Sequence, residues 1–248
     1  MFLTNTLNRL YDAGLTIFYP QACAICGQSV EARADGVACS NCWCETRIFD
    51  DTFTFCWKCG EVFFQPLAVK NIGEVSCRRC DWQAFTASRA CGAYEGALRA
   101  SVLSLKRSPY ACARLIQLLV TTQKRPPLTE VTRIIPVPLH PLREKARGFN
   151  QASVIARELS RRTKLPLDER SLSRVAHSER YRAGMSPQAR RTSVEKAFVV
   201  THPRLVANER ILLVDDVYTT GATVSSCAEA LLAAGAEAVY VLTIARAL

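Results

Sequence analysis

Residues 211–223 read Ile-Leu-Leu-Val-Asp-Asp-Val-Tyr-Thr-Thr-Gly-Ala-Thr, and the reading of this stretch decides the fold. Four aliphatic residues in succession suit a parallel strand buried on both faces, and Asp215 and Asp216 then stand where that strand leaves the sheet. Open α/β sheets bind ligands at that end. The small residues Thr219, Thr220, Gly221, Ala222 and Thr223 follow, and then Val224, Cys227, Ala228 and Leu231 at helical spacing. Strand, small-residue loop and helix N-terminus together make an anion cradle. Backbone N–H groups and the positive end of the helix dipole favour a phosphate, threonine hydroxyls add donors, and glycine lets the backbone come close. Two carboxylates beside the cradle would repel a second phosphate, so they suit ribose hydroxyls or Mg²⁺. The ligand implied is a sugar phosphate.

Around this stretch lie 248 residues, room for one ordinary domain and a small one, with 49% hydrophobic residues to fill a core. The formal net charge is +10. Much of the excess falls between positions 133 and 191, where Arg133, Arg143, Lys145, Arg147, Arg157, Arg161, Arg162, Lys164, Arg170, Arg174, Arg180, Arg182, Arg190 and Arg191 face only Glu144, Glu158, Asp168, Glu169 and Glu179. Such an imbalance points to polyanionic partners, pyrophosphate-bearing ligands and nucleic acid alike. Residues 1–20 carry Phe2, Leu3, Leu7, Leu10, Leu15, Ile17 and Phe18, interrupted by Arg9 and Asp12. They are short for a transmembrane segment and lack a basic leader or a clear cleavage site, so an amphipathic docking helix is expected, with peripheral membrane contact as the alternative.

All cysteines but Cys227 precede position 113, and eight of them form C-x-x-C pairs: Cys23/Cys26, Cys39/Cys42, Cys56/Cys59 and Cys77/Cys80. Each pair places two sulfurs on one tight turn, and two pairs complete a tetrahedral zinc site. Two structural Zn²⁺ sites are expected, the first four cysteines closing one ribbon and the second four another, with an interleaved pairing as the alternative. Clustering in C-x-x-C pairs without a secretory signal favours metal binding in a reducing compartment over disulfides or a redox dithiol, and a cytoplasmic chain is expected. Gly27 and Gly60 directly follow a pair, where the turn needs positive φ. Four-cysteine sites leave no open coordination position, so the metal is expected to serve folding or recognition. Trp43, Arg47, Trp57, Lys58, Phe63, Phe64, Arg78, Arg79 and Trp82 surround the knuckles and suit either a small core or a platform for single-stranded nucleic acid. Cys44 has no visible partner, while Cys91, Cys112 and Cys227 sit in apolar surroundings and read as core residues.

Between these halves a join is expected over 81–90, then a short strand at Ala93-Tyr94 and helices over 96–105 and 110–122. Lys106 stands at the end of the first helix, where a solvated end and a phosphate contact are both open. Residues 131–137 read as a second buried strand ending at Pro136-Val137-Pro138, with a helical pattern through Val154, Ile155 and Leu159. Strands are expected again over 197–200 and 239–245. From about residue 131 onward the pattern alternates strand and helix, as in a parallel sheet with crossovers.

Residues 211–223 resemble the signature of the type I phosphoribosyltransferases. The resemblance implies that Asp215 and Asp216 hold the ribose hydroxyls of phosphoribosyl pyrophosphate (PRPP), as the catalytic pair, while Thr219, Thr220, Gly221, Ala222 and Thr223 hold its 5-phosphate. Loop residues Val137, Pro138, Leu139 and His140 would grip the pyrophosphate, His140 being equally suited to a turn, with Arg143, Lys145, Arg147 and Gly148 nearby and Mg²⁺ accompanying PRPP. Pro-Val-Pro-Leu-His-Pro-x-Arg at 136–143, Arg-Gly-Phe-Asn-Gln at 147–151, Tyr94-Glu95-Gly96 with Lys106, and the leading cysteine knuckles narrow the resemblance to the ComF/GntX family across nearly the whole chain. It implies an α/β, Rossmann-like phosphoribosyltransferase domain over 86–248, a double zinc ribbon over 21–85 and a helix over 1–20. It further implies a competence role, in DNA uptake for natural transformation or in DNA utilisation, at the cytoplasmic face of the inner membrane. Single-stranded DNA, a helicase and a membrane DNA channel are the partners implied. A working transferase acting on a nitrogen acceptor, and a non-catalytic adapter, are the competing accounts. One segment departs from the family pattern: in the hood loop over 174–191, Arg182 stands where the family has glutamine, although Met185, Ser186 and Arg190 fit.

Overall fold

The computed structural model describes residues 21–63, 75–175 and 197–248. The helix expected over 1–20 and most of the hood segment, with Arg180, Arg182, Met185, Ser186, Arg190 and Arg191, lie outside the described residues. The cysteine-rich half holds helix α1 (Ser40–Glu45) and an antiparallel pair of short strands, β1 (Thr54–Phe55) and β2 (Val62–Phe63). Strand β3 (Ala87–Ala93), helices α2 (Gly96–Leu105) and α3 (Ala113–Gln123), and strand β4 (Arg133–Pro136) follow. Helices α4 (Pro141–Arg147) and α5 (Gln151–Thr163) lead to the paired strands β5 (Leu172–Arg174) and β6 (Phe198–Val200). Strand β7 (Arg210–Tyr218), helix α6 (Ala222–Ala233) and strand β8 (Ala238–Arg246) complete the chain.

Four parallel strands make the central sheet in the order β3-β8-β7-β4. The inner strands β7 and β8 carry the unbroken aliphatic runs, because helices cover both of their faces. On one face Leu98 and Leu105 of α2, Leu119 of α3, and Ile155 and Leu159 of α5 close over Leu212, Val214 and Leu242. On the other, Val224, Cys227, Ala228 and Leu231 of α6 close over Ile211, Leu213, Val239 and Val241. Each such aliphatic side chain contributes about 1.5–3 kcal/mol by leaving water, so this three-layer core carries the scaffold on which the ligand end of the sheet is built.

Two elements differ from expectation. The stretch expected to join the halves contains the start of β3, a seven-residue edge strand where a short one at Ala93-Tyr94 was expected. Its sequence, Ala-Ser-Arg-Ala-Cys-Gly-Ala, has no β-branched or aromatic residue, and pairing with β8 imposes the extended form. Residues 198–200 are a strand, as expected, but pair antiparallel with β5 outside the parallel sheet.

The outer edge of β3 is covered by the cysteine-rich half. Phe49 N–H donates to Cys91 O at 2.9 Å, Ala93 N–H to Arg47 O at 3.0 Å and Ser88 N–H to Lys58 O at 2.7 Å. An exposed edge strand is thereby removed. The fit depends on Gly92, where an added Cβ would lie 2.3 Å from Arg47 O and 2.6 Å from a Leu98 methyl. Gly92→Ala is therefore expected to lower stability by about 1–3 kcal/mol through overpacking, measured by denaturant unfolding; an unchanged midpoint would show that the edge yields freely.

Candidate functional site

The site begins where β7 loses one neighbour. Pairing with β4 ends at Pro136 opposite Val214, and one further bond runs from Val137 N–H to Val214 O at 2.9 Å. Beyond it β7 continues to Tyr218 against β8 alone. The two acids therefore lie inside the strand, on its open side, and not past its end as the sequence suggests. Strand alternation sends them to opposite faces. Asp216, 7% exposed, points toward α2 and α5, where Lys106 Nζ lies 3.3 Å and Gln151 Nε2 3.4 Å from its Oδ2. Asp215 is partly buried, accepts the Asp216 N–H at 2.8 Å, and is close enough to α6 for its charge to be felt at Cys227. Burial first, and then the Asp216 carboxylate, push the Asp215 carboxyl well above its ordinary range, opposed in part by Lys106.

After β7 the chain turns through Thr219 and Thr220, both exposed, to Gly221 at φ +79°. Gly221 starts α6 with no side chain capping the helix, so its first-turn amides have no intrahelical acceptors and suit an anion. Ala222 and Thr223 are exposed beside it, and Thr220 Oγ1 accepts the Ala222 N–H at 3.4 Å. The loop is supported from behind: Gln83 Nε2 donates to Thr220 O at 3.1 Å, and Ala84 N–H to Ser225 Oγ at 3.0 Å.

The segment expected to hold pyrophosphate is more constrained than its sequence suggests. Val137 N–H is already engaged by Val214, and Pro138 has none, which leaves the Leu139 and His140 amides as donors. His140 caps α4, its Nδ1 accepting the Leu142 N–H at 3.2 Å. Arg147 donates to Gln151 Oε1, which joins it to Asp216 through the Gln151 amide, and Asn150 Nδ2 binds Val137 O at 3.0 Å. Arg147 is thus brought to the acids; Arg143 and Lys145 sit exposed on α4, outside these contacts. Sequence reading noted Gln151 only within a motif and missed Gln83 and Ser225, which have no local signal because their partners are set by the fold.

The eight expected cysteines form two groups, Cys23, Cys26, Cys39, Cys42 and Cys56, Cys59, Cys77, Cys80, consecutive and not interleaved. Their hydrogen bonding repeats. The Cys23 and Cys56 thiols accept the N–H of Cys39 at 3.4 Å and of Cys77 at 3.3 Å, while Gly27 and Gly60, both at positive φ, close the turns back to Cys23 O and Cys56 O. Sulfur separations of 3.8 Å (Cys23–Cys42), 3.6 Å (Cys26–Cys39), 3.7 Å (Cys56–Cys80) and 3.4 Å (Cys59–Cys77) fit a tetrahedron with metal–sulfur bonds of about 2.3 Å, whose edges are about 3.8 Å. Both groups could hold zinc. Cys91, Cys112 and Cys227 are buried core residues, and burial pushes the Cys91 thiol up to about 12.

Comparison with known proteins supports the phosphoribosyltransferase-like half. The sequence model of the phosphoribosyl transferase domain matches residues 145–247. Competence protein F of Haemophilus influenzae is 36% identical over 137 residues, which are 54% of this chain and 59% of that protein. DNA utilization protein YhgH of Salmonella typhimurium is 28% identical over 240 residues, 92% of this chain and 98% of the relative. The chain is thus similar to competence and DNA-utilisation proteins and carries a match to the phosphoribosyl transferase domain. Its fold is that of a phosphoribosyltransferase-like α/β domain preceded by two four-cysteine clusters. The match spans less than two thirds of the Haemophilus protein's length. Among solved structures, glutamine PRPP amidotransferase from B. subtilis matches this chain with a TM-score of 0.38 and 18% identity, over 71% of this chain and 32% of that one. Among the described residues, no helix is long and apolar enough to cross a membrane.

A raised carboxyl value means that the folded protein binds more protons than the unfolded chain, so stability should fall as pH rises from the unfolded aspartate value of about 3.9 through that of folded Asp215. Thermal unfolding across that window should show the decline in the wild type and its loss in Asp215→Asn; parallel profiles would contradict the assignment.

Proposed function

We propose that this protein is a ComF-type factor that binds Mg²⁺-PRPP at the open side of β7 and single-stranded DNA on its basic and aromatic surface, and that it serves DNA uptake or DNA utilisation. The observation that carries the PRPP reading is the convergence of an acid pair and an uncapped helix start at the point where β4 ends. Asp215 and Asp216 suit the ribose hydroxyls, and the Thr219–Thr220–Gly221 turn with the first amides of α6 suits the 5-phosphate. The Leu139 and His140 amides, with Arg147 and Lys106 held near Asp216, suit the pyrophosphate. Magnesium, when bound, would supply charge neutralisation of the pyrophosphate. Lys106 pairs with Asp216 and would exchange that carboxylate for a phosphate on binding.

The DNA reading rests on the ribbons and on the names of the relatives. Trp57 and Trp82 are 40% and 56% exposed, and the Arg89 guanidinium stacks 5.5 Å from the Trp57 ring centre. Bases stack on such rings with little regard to sequence, and the surrounding Lys58 and Arg78 suit the backbone. Trp43, by contrast, is buried against Arg114 and serves the core; Phe64 lies outside the described residues. Zinc in both clusters would hold these rings in place. Two zinc ions per chain are expected by metal analysis of the purified protein, with loss of single-strand binding on chelation. One metal-free cluster in fully folded, DNA-binding protein would contradict the structural role.

Calorimetry tests the main proposal with Mg²⁺-PRPP, with a single-stranded oligonucleotide and with both. Saturable PRPP binding is expected, weakened at least about tenfold in the Asp215→Asn/Asp216→Asn double variant, and salt-dependent binding of the oligonucleotide. No heat with PRPP at high protein concentration would overturn the first half, and no affinity for single strands at low salt the second. Pyrophosphate release on adding a nitrogen acceptor would assign turnover as well as binding.

A further inference from the structure

The loop proposed to hold the 5-phosphate is fixed by a residue that lies far from it in sequence. Gln83 follows the last cysteine of the second cluster by three positions, and its N–H donates to Cys80 O at 3.0 Å. Its side chain is 6% exposed and reaches under the loop to donate to Thr220 O at 3.1 Å. The peptide bond between Thr220 and Gly221 is planar and trans, so its carbonyl and N–H point in opposite directions. Holding the Thr220 carbonyl inward, on Gln83, therefore turns the Gly221 N–H outward.

The surroundings show that this is a built contact. A Cβ at Gly221 would lie 2.5 Å from Gln83 Nε2 and 2.3 Å from the Tyr218 hydroxyl, so the side chain is packed directly against the turn. The next residue, Ala84, donates to Ser225 Oγ in the first turn of α6. Phe85, 1% exposed, meets the Tyr218 ring edge-on at 6.2 Å. Arg246 stacks 4.4 Å from the Tyr218 ring centre and donates to Cys59 O at 2.6 Å. The second cysteine cluster and the phosphate loop are thus joined through Gln83, Ala84 and Arg246.

We infer that Gln83 is a positioning residue for the phosphate-binding turn: it sets the Thr220–Gly221 peptide so that the Gly221 N–H faces a phosphomonoester. The inference rests on the sugar-phosphate reading of that turn for its ligand, but not for its effect on the loop itself. Gln83→Met keeps the side chain's length and packing while removing the donor.

Calorimetry with PRPP, ribose 5-phosphate and pyrophosphate, each with Mg²⁺, separates this role from general weakening. In Gln83→Met the affinities for PRPP and ribose 5-phosphate are expected to fall together by about tenfold, the scale of one buried hydrogen bond, while pyrophosphate affinity stays unchanged. Amide exchange at Ser225 and Ser226, measured without ligand, is expected to quicken by about fivefold. An equal loss for all three ligands, or exchange that matches the wild type, would overturn the inference. If wild-type protein binds neither PRPP nor ribose 5-phosphate, the ligand reading fails, and the exchange measurement still decides whether Gln83 orders the turn.

Discussion

Past Val214 the central strand is paired on one side only, and the rest of the site follows from that asymmetry. β4 stops because Pro136 ends it and Pro138 cannot extend it, while β8 stays in register with β7 through Arg246. The open side exposes a short stretch of polar backbone and side chains at the carboxyl end of a buried parallel strand. Elsewhere on β7 polar residues would be expensive, because helices close both faces. Here Asp216 is met by Lys106 and Gln151, and Asp215 retains a carboxyl whose ionisation is opposed by its surroundings. A ligand that offers hydroxyls or a cation to these carboxylates relieves that opposition, which is a physical reason for binding at this position.

The cysteine-rich half acts on the same sheet from its other margin. β3 is a weak strand by composition and would present a bare edge, yet the backbone at Arg47, Phe49 and Lys58 completes its hydrogen bonding. Thr46 Oγ1 accepts the Ala97 N–H at 2.8 Å at the start of α2, and Glu95 holds Arg47 through two contacts of 2.6 Å. Knuckle and sheet residues also share buried clusters, Cys39 and Cys42 with Leu242 in one, Cys56 and Cys59 with Tyr218 in the other. Metal-dependent folding of the ribbons would therefore reach the core that positions the acids.

What the sequence discloses depends on whether the signal is local. The aliphatic run Ile211 to Val214, the acids, the small-residue turn and the C-x-x-C pairs each carry their physical reason within a few residues, and helix α2 spans the expected 96–105. β3 escaped recognition as a full strand because its small residues have no strand preference. The antiparallel pairing of β6 escaped because its partner β5 lies more than twenty residues away. The engagement of Val137 N–H by Val214 and the support of the turn by Gln83 depend on which strands are neighbours. Periodicity does not carry that information, and motif resemblance carries it only for the residues within the motif.

Phosphorus NMR of PRPP titrated with the protein and Mg²⁺ tests the central claim most directly, because the 5-phosphate and the two pyrophosphate phosphorus atoms resonate separately. The account predicts that the 5-phosphate resonance shifts and broadens saturably, and that replacing both acids abolishes the effect by freeing the ribose. A 5-phosphate resonance that stays at its free position while the protein is folded and in excess would contradict it.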